Sequence, residues 1–285
     1  IVIAPAMNTN MYKNKILQKN IKTLKDLGYH FIDPDSGRLA CGDIGEGKLA
    51  NTDKIVDEVV KILYKENDLE GKKILITAGP TRESIDPMRY ITNRSTGKMG
   101  YNIAIEAIKR GAKVTLISGP TNLEVPKGLH KFIQIESAKQ MYDEVITNLD
   151  DNDVIIKSAA VADYKPANYY DKKIKKSDDD LYLKLERNKD IAKEIGKLKK
   201  DKILVGFAAE TDDIIENAKS KVIKKNMDFI VANDLTKEGA GFSVDTNIVK
   251  IIDKEGDITD YPIMKKEEVA NIILDKIKLL LGHLE

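Results

Sequence analysis

The stretch from Arg89 to Gly100 carries residue types that bind phosphate groups. It is rich in hydroxyl and glycine residues and ends in Ser95-Thr96-Gly97-Lys98, directly before an apolar pattern of helical spacing. Backbone N–H groups at the start of a helix hold phosphate or carboxylate groups. The stretch matches neither the dinucleotide fingerprint nor the Walker A loop. A tight turn followed by a helix cap explains the same residues equally well.

Small residues dominate a second segment, Lys157 to Tyr164, which follows an apolar strand pattern. Ser158 and Ala159 leave room for a planar ring beside the backbone, whose amide and carbonyl groups can read the edge of a base. Asp163 could bind a ribose hydroxyl or a metal ion. A packed alanine-rich turn with Asp163 as a helix N-cap is the alternative interpretation.

Lysines are concentrated in two places that could neutralise a polyphosphate. Four of them fall within residues 172–176, and Lys221 and Lys225 lie one helical turn apart. A lysine beside a nucleotide neutralises charge that develops during phosphoryl transfer. Lysine runs of this kind are more often solvated surfaces, so their pattern alone does not decide between the two interpretations.

The elements that must position these motifs alternate along the chain. From Lys73 onward, short apolar runs alternate with amphipathic helical patterns, which predicts an α/β fold with a mostly parallel sheet covered on both faces. Ligands bind beyond the carboxyl ends of such strands, where the first two motifs lie. The sequence therefore predicts a Rossmann-like three-layer sandwich. Strands are predicted at 73–77, 113–118, 153–156, 203–207 and 229–231, with further strands at 181–185 and 247–252, and helices at 98–110, 137–148, 190–199, 213–225 and 266–280.

Residues 1–70 are predicted to be a separate α/β segment that ends in a polar linker, so that the second domain covers 71–285. The segment reads as a strand, a helix at 11–27, a strand at 29–32, a glycine-rich loop at 36–48 and a helix at 52–65. The chain opens within a strand and without an initiator Met. We therefore expect it to be part of a longer protein.

Composition limits the classes of function. The 47 basic and 46 acidic residues give a net charge of +1, whereas nucleic-acid binders usually carry a basic excess. No apolar run approaches the roughly 20 residues that cross a bilayer. A lone Cys41 excludes an internal disulfide framework and favours the cytoplasm. His30, His130 and His283 lack metal-ligand spacing, which argues against a zinc enzyme.

Seven strings occur in an order and spacing that resemble one bacterial family. They are ITAGPT (76–81), RYITNRSTGKMG (89–100), AAVADYKP (159–166), KIKK (173–176), NKDI (188–191), GFAAET (206–211) and AND (232–234). Together they resemble the ligase half of the bifunctional phosphopantothenoylcysteine decarboxylase/phosphopantothenate–cysteine ligase of coenzyme A biosynthesis. PAMN (5–8) and CGDIGEGK (41–48) resemble the substrate loop and the flap of its flavodoxin-like decarboxylase half. Everything before residue 1 in that half has no counterpart, so we expect decarboxylase activity to be incomplete.

The resemblance implies a reaction and its partners. The reaction would be CTP-dependent ligation of 4′-phosphopantothenate with L-cysteine through an acyl-cytidylate, giving phosphopantothenoylcysteine, CMP and pyrophosphate. Mg²⁺ would assist, and FMN would serve the decarboxylase half in the full-length protein. A homodimer through the ligase domain is implied, with no nucleic acid and no membrane.

The resemblance also implies roles for individual residues. Asn93 would hold the acyl-cytidylate, Lys173 would contact the triphosphate, and Cys41 would donate a proton in the decarboxylase reaction. Asn8 would help to bind substrate, Arg89 would either help to bind substrate or order the loop, and no metal ligands are assigned. The implied CTP contacts are Ser158, Ala159, Asp163, Lys173, Lys189, Asp190, Ile191, Ala192, Phe207, Lys221 and Lys225.

Three other functions stay open on the sequence alone. One is an ATP-using synthetase of the same fold, because backbone readout of a base leaves little trace in sequence. A second is a flavin-dependent decarboxylase, which Asn8 and Cys41 favour. The third is a non-catalytic nucleotide- or dinucleotide-binding module, against which the missing glycine fingerprint and the missing acidic residue after the second strand both count.

Overall fold

The computed structural model describes residues 1–39, 42, 44–63, 67–175, 180–210, 214–234 and 244–282. The chain divides into two compact units, Ile1–Glu66 and Asn67–Glu285. No described helix is long and apolar enough to span a bilayer.

The first unit is a small α/β segment with two separate strand pairs. Its elements are β1 (Val2–Ile3), α1 (Thr9–Tyr12), α2 (Lys15–Asp26), β2 (His30–Phe31), β3 (Asp35–Arg38), β4 (Ile44–Lys48) and α3 (Thr52–Leu63). β1 pairs with β2 in parallel, and β3 pairs with β4 in antiparallel orientation.

Two predictions for this unit are corrected by the structure. The helix predicted at 11–27 is interrupted at Asn14, whose side chain accepts a hydrogen bond from the Ile16 N–H at 2.9 Å and so caps α2. The loop predicted at 36–48 is instead the β3–β4 hairpin. Its glycines allow β4 to lie against the loop after β1, where the Met7 N–H donates to the Gly47 carbonyl at 2.9 Å.

The second unit follows the predicted rhythm of strands and helices. Its elements are β5 (Lys73–Ala78), β6 (Arg82–Ser84), β7 (Tyr90–Thr92), α4 (Lys98–Lys109), β8 (Lys113–Ser118), β9 (Lys131–Gln134), α5 (Ala138–Thr147), β10 (Val154–Lys157), β11 (Tyr164–Pro166), β12 (Leu185–Arg187), α6 (Ile191–Leu198), β13 (Ile203–Glu210), α7 (Ile214–Lys224), β14 (Phe229–Asp234), β15 (Thr246–Asn247), β16 (Val249–Asp253), β17 (Ile258–Asp260), β18 (Met264–Lys265) and α8 (Lys266–Gly282). The strand predicted at 181–185 is wrong, because pairing begins only at Leu185.

Eight of these strands form one sheet in the order β17-β16-β14-β13-β10-β5-β8-β9. The six strands from β14 to β9 run parallel, and β16 and β17 run antiparallel to them. Numbered along the chain, the parallel strands lie in the order 3-2-1-4-5-6 of a Rossmann fold. This confirms the predicted fold class. The strand order reverses between β5 and β10, and the crevice beyond their carboxyl ends is the expected ligand site.

The sheet separates two hydrophobic cores, as the alternation of side chains along β10 shows. Val154 and Ile156 are fully buried in the core shared with α4 and α8. Ile155 is fully buried in the other core, shared with α5, α6 and α7. Both faces of β10 are therefore covered, which explains its continuous apolar sequence. By the same alternation, Lys157 points to the side of α5–α7.

The second unit begins before the boundary predicted at Gly71. Leu69 is fully buried and packs in the core of α4 and α8. Asp68 accepts hydrogen bonds from Arg110 Nε at 2.9 Å and Arg110 Nη2 at 2.5 Å. Residues assigned to the linker by their polarity thus belong to the second unit.

Candidate functional site

A cavity of about 540 Å³ lies beyond the carboxyl ends of β5 and β10. Its volume is in the range of small-molecule binding sites. It is lined by Asn93 to Gly100, Lys157 to Val161, Asp163, Phe207, Ala208, Lys221, Asn233, Asn247 and Lys266. The Arg89–Gly100 and Lys157–Tyr164 motifs therefore meet at this reversal of strand order, as the sequence predicts.

Two buried threonines fix the loop that follows β10. Thr77 Oγ1 accepts a hydrogen bond from the Ala159 N–H at 3.2 Å, and Thr81 Oγ1 accepts one from the Ala162 N–H at 3.0 Å. Both threonines are fully buried. Sequence reasoning placed them in the ITAGPT string without a role. Their position at the end of an apolar strand was the signal in the sequence from which this role could have been predicted.

Asn93 connects the loop after β7 to the loop after β10. Its side-chain Nδ2 donates to the carbonyl oxygens of Ala160 and Val161, both at 3.2 Å. The neighbouring Thr92 hydroxyl donates to the Thr81 carbonyl at 2.8 Å. Asn93 and Asp163 line the same cavity.

The N-terminus of α4 faces the cavity without a side-chain cap. Its N-cap residue, Gly97, has the left-handed φ of +81° and makes no side-chain capping bond. At Gly100, a Cβ atom would lie 2.6 Å from the Ala78 Cβ, so only glycine lets α4 approach β5 this closely. The first N–H groups of a helix lack partners within the helix and attract an anion.

Two buried amide side chains in the cavity lining have oxygens without a partner among the described residues. Asn233 is 8% exposed and Asn247 is 4% exposed, and neither Oδ1 atom has a hydrogen-bond partner in the part of the chain that the structure describes. Buried polar atoms are nearly always paired, so these two acceptors are candidates for contact with a bound donor. Sequence reasoning quoted Asn233 within a motif and missed Asn247.

A buried lysine adds positive charge near these amides. Lys266, at the start of α8, is 4% exposed, lines the cavity and donates a hydrogen bond to the Val244 carbonyl. Burial, and then repulsion from Lys98, lower the pKa of Lys266. Sequence reasoning missed this residue because it arrives from a distant helix.

The predicted CTP contacts fall into two groups. Ser158, Ala159, Asp163, Phe207 and Lys221 line the cavity. The remaining contacts lie outside the lining, in the 170s segment or at the ends of α6 and α7, and they are Lys173, Lys189, Asp190, Ile191, Ala192 and Lys225.

The residues at the start of α6 have structural partners of their own. Ile191 and Ala192 are each 1% exposed and pack in the core, so only their backbone atoms can meet a ligand. Asp190 caps α6 and forms an ion pair with Lys225, with a distance of 2.9 Å between Oδ2 and Nζ. Burial is the largest influence and opposes ionisation of Asp190, but the hydrogen bonds from Lys225 and the Lys193 N–H and the charges of Lys225 and Lys157 together outweigh it and lower the pKa of Asp190.

Arg89 is tied to a buried carboxylate and does not line the cavity. Its Nε and Nη2 donate to Asp86 Oδ2 at 3.0 and 2.6 Å, and Asp86 is 2% exposed. Asp86 Oδ2 also accepts from the Ile174 N–H at 3.1 Å, and Arg89 Nη2 donates to the Ile174 carbonyl at 2.9 Å. The guanidinium of Arg89 holds the pKa of Asp86 far below its usual range. The pair thus anchors the backbone next to Lys173, and the structure gives Arg89 a positioning role.

Replacing Asp86 with asparagine tests this anchor. The neutral amide cannot form the paired charged contact with Arg89, so residues 171–175 should loosen. We expect faster cleavage by trypsin at Lys172, Lys173 and Lys175 and a lower kcat, with the affinity for nucleotide nearly unchanged. Asp171→Asn, a change of the same kind at an exposed position in this segment, should leave both unchanged. Wild-type cleavage rates in Asp86→Asn would refute the anchoring role.

The two site residues predicted in the first unit are only partly described. Asn8 Oδ1 accepts a hydrogen bond from the Asn10 N–H at 2.8 Å and caps α1. Cys41 lies outside the described residues. In the same segment, the Thr9 hydroxyl is buried without a partner among the described residues.

Comparison with known proteins agrees with the division into two units. Residues 69–280 match the family of DNA/pantothenate metabolism flavoprotein C-terminal domains, and residues 1–64 match the flavoprotein family. The chain is 50% identical over 280 residues to the coenzyme A biosynthesis bifunctional protein CoaBC of Bacillus subtilis (strain 168), covering 98% of this chain and 69% of the relative. It is 47% identical over 274 residues to the CoaBC of Borreliella burgdorferi, covering 95% and 69%.

A solved structure extends the likeness to the fold. The crystal structure of the C-terminal domain of a CoaBC protein is 44% identical and superposes with a TM-score of 0.67, covering 76% of this chain and 100% of that domain. The sequence identity, the coverage and the shared fold all indicate the same family. The chain belongs to the CoaBC family of bifunctional coenzyme A biosynthesis proteins.

Proposed function

We propose that the second unit ligates 4′-phosphopantothenate with L-cysteine at the expense of CTP. One observation carries the proposal: the N-terminus of α4, whose N-cap is Gly97, and the oxygens of Asn233 and Asn247, which lack partners among the described residues, share one cavity with Asn93 and Asp163. Such a cavity offers N–H groups for phosphates and acceptors for ribose hydroxyls. The CoaBC relatives support a role in coenzyme A biosynthesis.

The reaction would proceed in two steps in this cavity. The carboxylate of 4′-phosphopantothenate attacks the α-phosphorus of CTP, and pyrophosphate leaves. The amine of cysteine then attacks the acyl carbon of the acyl-cytidylate, loses a proton and releases CMP. Because a free carboxylate is a poor acyl donor, the nucleotide supplies the activation. The protein's task is to align the reactants and to neutralise charge.

Each part of the cavity has a task in this scheme. The N–H groups of α4 bind phosphate oxygens, while the backbone of residues 158–161 reads the cytosine edge. Asn93 holds the acyl-cytidylate from the junction of the two loops, and Phe207 packs against the nucleotide. Lys173 and Lys221 neutralise charge on the phosphates. The Mg²⁺ that assists the reaction would be held chiefly by the phosphates of the nucleotide and by water, as is usual for Mg²⁺ bound with a nucleotide.

The first unit supports a second candidate function. Its match to the flavoprotein family favours an FMN-dependent phosphopantothenoylcysteine decarboxylase in the full-length protein. The buried Thr9 hydroxyl next to Asn8 has no partner among the described residues and is suited to a substrate or flavin contact. In this proposal Asn8 binds substrate and Cys41 donates a proton. FMN, when bound, supplies the oxidising chemistry.

We also propose that the protein forms a homodimer through the second unit. Measurement of the mass of the protein in solution tests this.

Nucleotide-dependent thermal protection tests the choice of CTP. A ligand that binds only the folded protein stabilises it by RT ln(1 + [L]/Kd), so at equal concentration the tighter ligand raises the melting temperature more. We expect CTP with Mg²⁺ to raise the melting temperature of the protein by several degrees more than ATP does at the same concentration. Equal shifts would contradict cytosine readout and would favour the ATP-using synthetase.

A further inference from the structure

Lys157 ends β10 at the point where the strand order reverses, and its side chain lines the cavity. It follows fully buried Ile155 by two positions and therefore points to the side of α6 and α7. Within the residues that the structure describes, no carboxylate forms an ion pair with its ammonium group. A partly buried ammonium group that faces a cavity without an ion pair is suited to an anionic ligand.

Four charged groups act on Lys157 from the elements packed around it. Lys221 and Lys225 approach from α7, Asp190 from the N-cap of α6, and Asp163 from the loop after β10. Asp190 is already paired with Lys225 at 2.9 Å. Of the two carboxylates named here, one is thus already in use. A bound anion would supply the paired negative charge that Lys157 lacks among the described residues.

We propose that Lys157 is a further nucleotide-binding residue, whose ammonium group pairs with the polyphosphate of the bound nucleotide. The inference rests on the proposed function, since it assumes that a nucleoside triphosphate occupies this cavity. It adds a residue on the sheet itself to the lysines of α7. A polyphosphate carries several negative charges and can meet Lys157 and Lys221 together. A single carboxylate of the cysteine substrate could pair with only one of them.

Proton uptake follows from this placement. Burial, and then repulsion from Lys225, lower the pKa of Lys157 to about 8. An anion that pairs with the ammonium group favours its protonated form and raises this pKa. Above pH 8 the free protein must therefore take up a proton when it binds the nucleotide, so affinity should fall as the pH rises. Lys157 thus makes nucleotide binding sensitive to alkaline pH.

The test is calorimetric titration of the protein with CTP at about pH 8.5, where the phosphates are fully ionised. Two buffers of different ionisation enthalpy report the number of protons taken up. Lys157→Met should weaken CTP binding by about tenfold or more, because a charged hydrogen bond is lost. It should weaken CMP binding less, and proton uptake should disappear. Lys139→Met, at an exposed site on α5, should change none of these quantities.

A second variant keeps the test decisive if Lys157→Met folds poorly. Lys157→Arg retains the positive charge but does not titrate in this range, so it should bind CTP with nearly wild-type affinity and take up no proton. Unchanged proton uptake in either variant would overturn the proposal. Equal losses for CTP, CMP and cytidine would assign Lys157 to the nucleoside and overturn the polyphosphate contact. Failure of the wild-type protein to bind CTP would instead reject the proposed function, and the inference with it.

Discussion

Replacing Lys173 with glutamine should lower kcat by about a hundredfold to a thousandfold while the fold stays intact. The Lys173 side chain is exposed, and the backbone of the next residue, Ile174, is held at both its N–H and its carbonyl by Asp86 and Arg89. In the proposed mechanism, the anchored backbone holds this long cationic side chain at a reproducible position towards the bound triphosphate. Glutamine keeps much of the side chain's length and removes its charge. The loss should therefore appear in the transition state rather than in folding.

The neighbours of Lys173 provide matched controls. Lys172 and Lys175 are also exposed lysines in this segment, and their change to glutamine should alter kcat only slightly. Turnover is measured as pyrophosphate release at saturating CTP, with the melting temperature as a check on the fold. Near-wild-type kcat in Lys173→Gln would remove its role. Equal losses in all three variants would mean that the segment contributes only its overall charge.

Changing Asn93 to aspartate should abolish conversion of the acyl-cytidylate to product, with a loss of about a hundredfold or more. The Asn93 Nδ2 group now donates to the carbonyl oxygens of Ala160 and Val161 at 3.2 Å. A carboxylate there would turn two hydrogen bonds into contacts between acceptors. It would also place a negative charge beside an anionic intermediate. Both effects act at the same junction of loops, so they reinforce each other.

The intermediate can be followed directly in the Asn93 variants. Mass spectrometry of quenched reactions should show that Asn93→Asp either forms no acyl-cytidylate or leaves it unconverted in the presence of cysteine. Asn93→Ala removes the donor without adding charge and should lose less activity. Asn168→Asp, at an exposed position in the same unit, should behave like the wild type. Normal product formation by Asn93→Asp would end the assignment.

The central sheet could be predicted because buried parallel strands carry their signal locally. β5, β8 and β10 are covered on both faces, so their sequences are short continuous apolar runs. Because ligands bind at the carboxyl ends of such strands, the sequence also predicted that Asn93 and Asp163 lie in one cavity. The β3–β4 hairpin escaped prediction because its glycines and charged residues show no alternation of apolar and polar side chains.

The rest of the site could not be predicted because its contacts join distant parts of the chain. Asn247 reaches the cavity from β15 and Lys266 from α8, both far along the chain from the motifs they meet. The partner of Arg89 is Asp86, three residues away in a turn, and no local pattern distinguishes this pair from a substrate-binding arginine. In the sequence, Lys157 is only the polar residue at the end of a strand. Its place in the site becomes visible only when α6 and α7 pack on the same face of the sheet.

The decisive measurement is pyrophosphate release when the protein is mixed with 4′-phosphopantothenate, cysteine and Mg²⁺ and supplied with one nucleoside triphosphate at a time. Ligation at this cavity requires that CTP yield pyrophosphate only when 4′-phosphopantothenate is present, and that CMP and phosphopantothenoylcysteine accumulate once cysteine is added. The account would be contradicted if CTP gave no pyrophosphate, or if ATP but not CTP gave pyrophosphate. Either result would show that the cavity does not activate a carboxylate with a cytidine nucleotide.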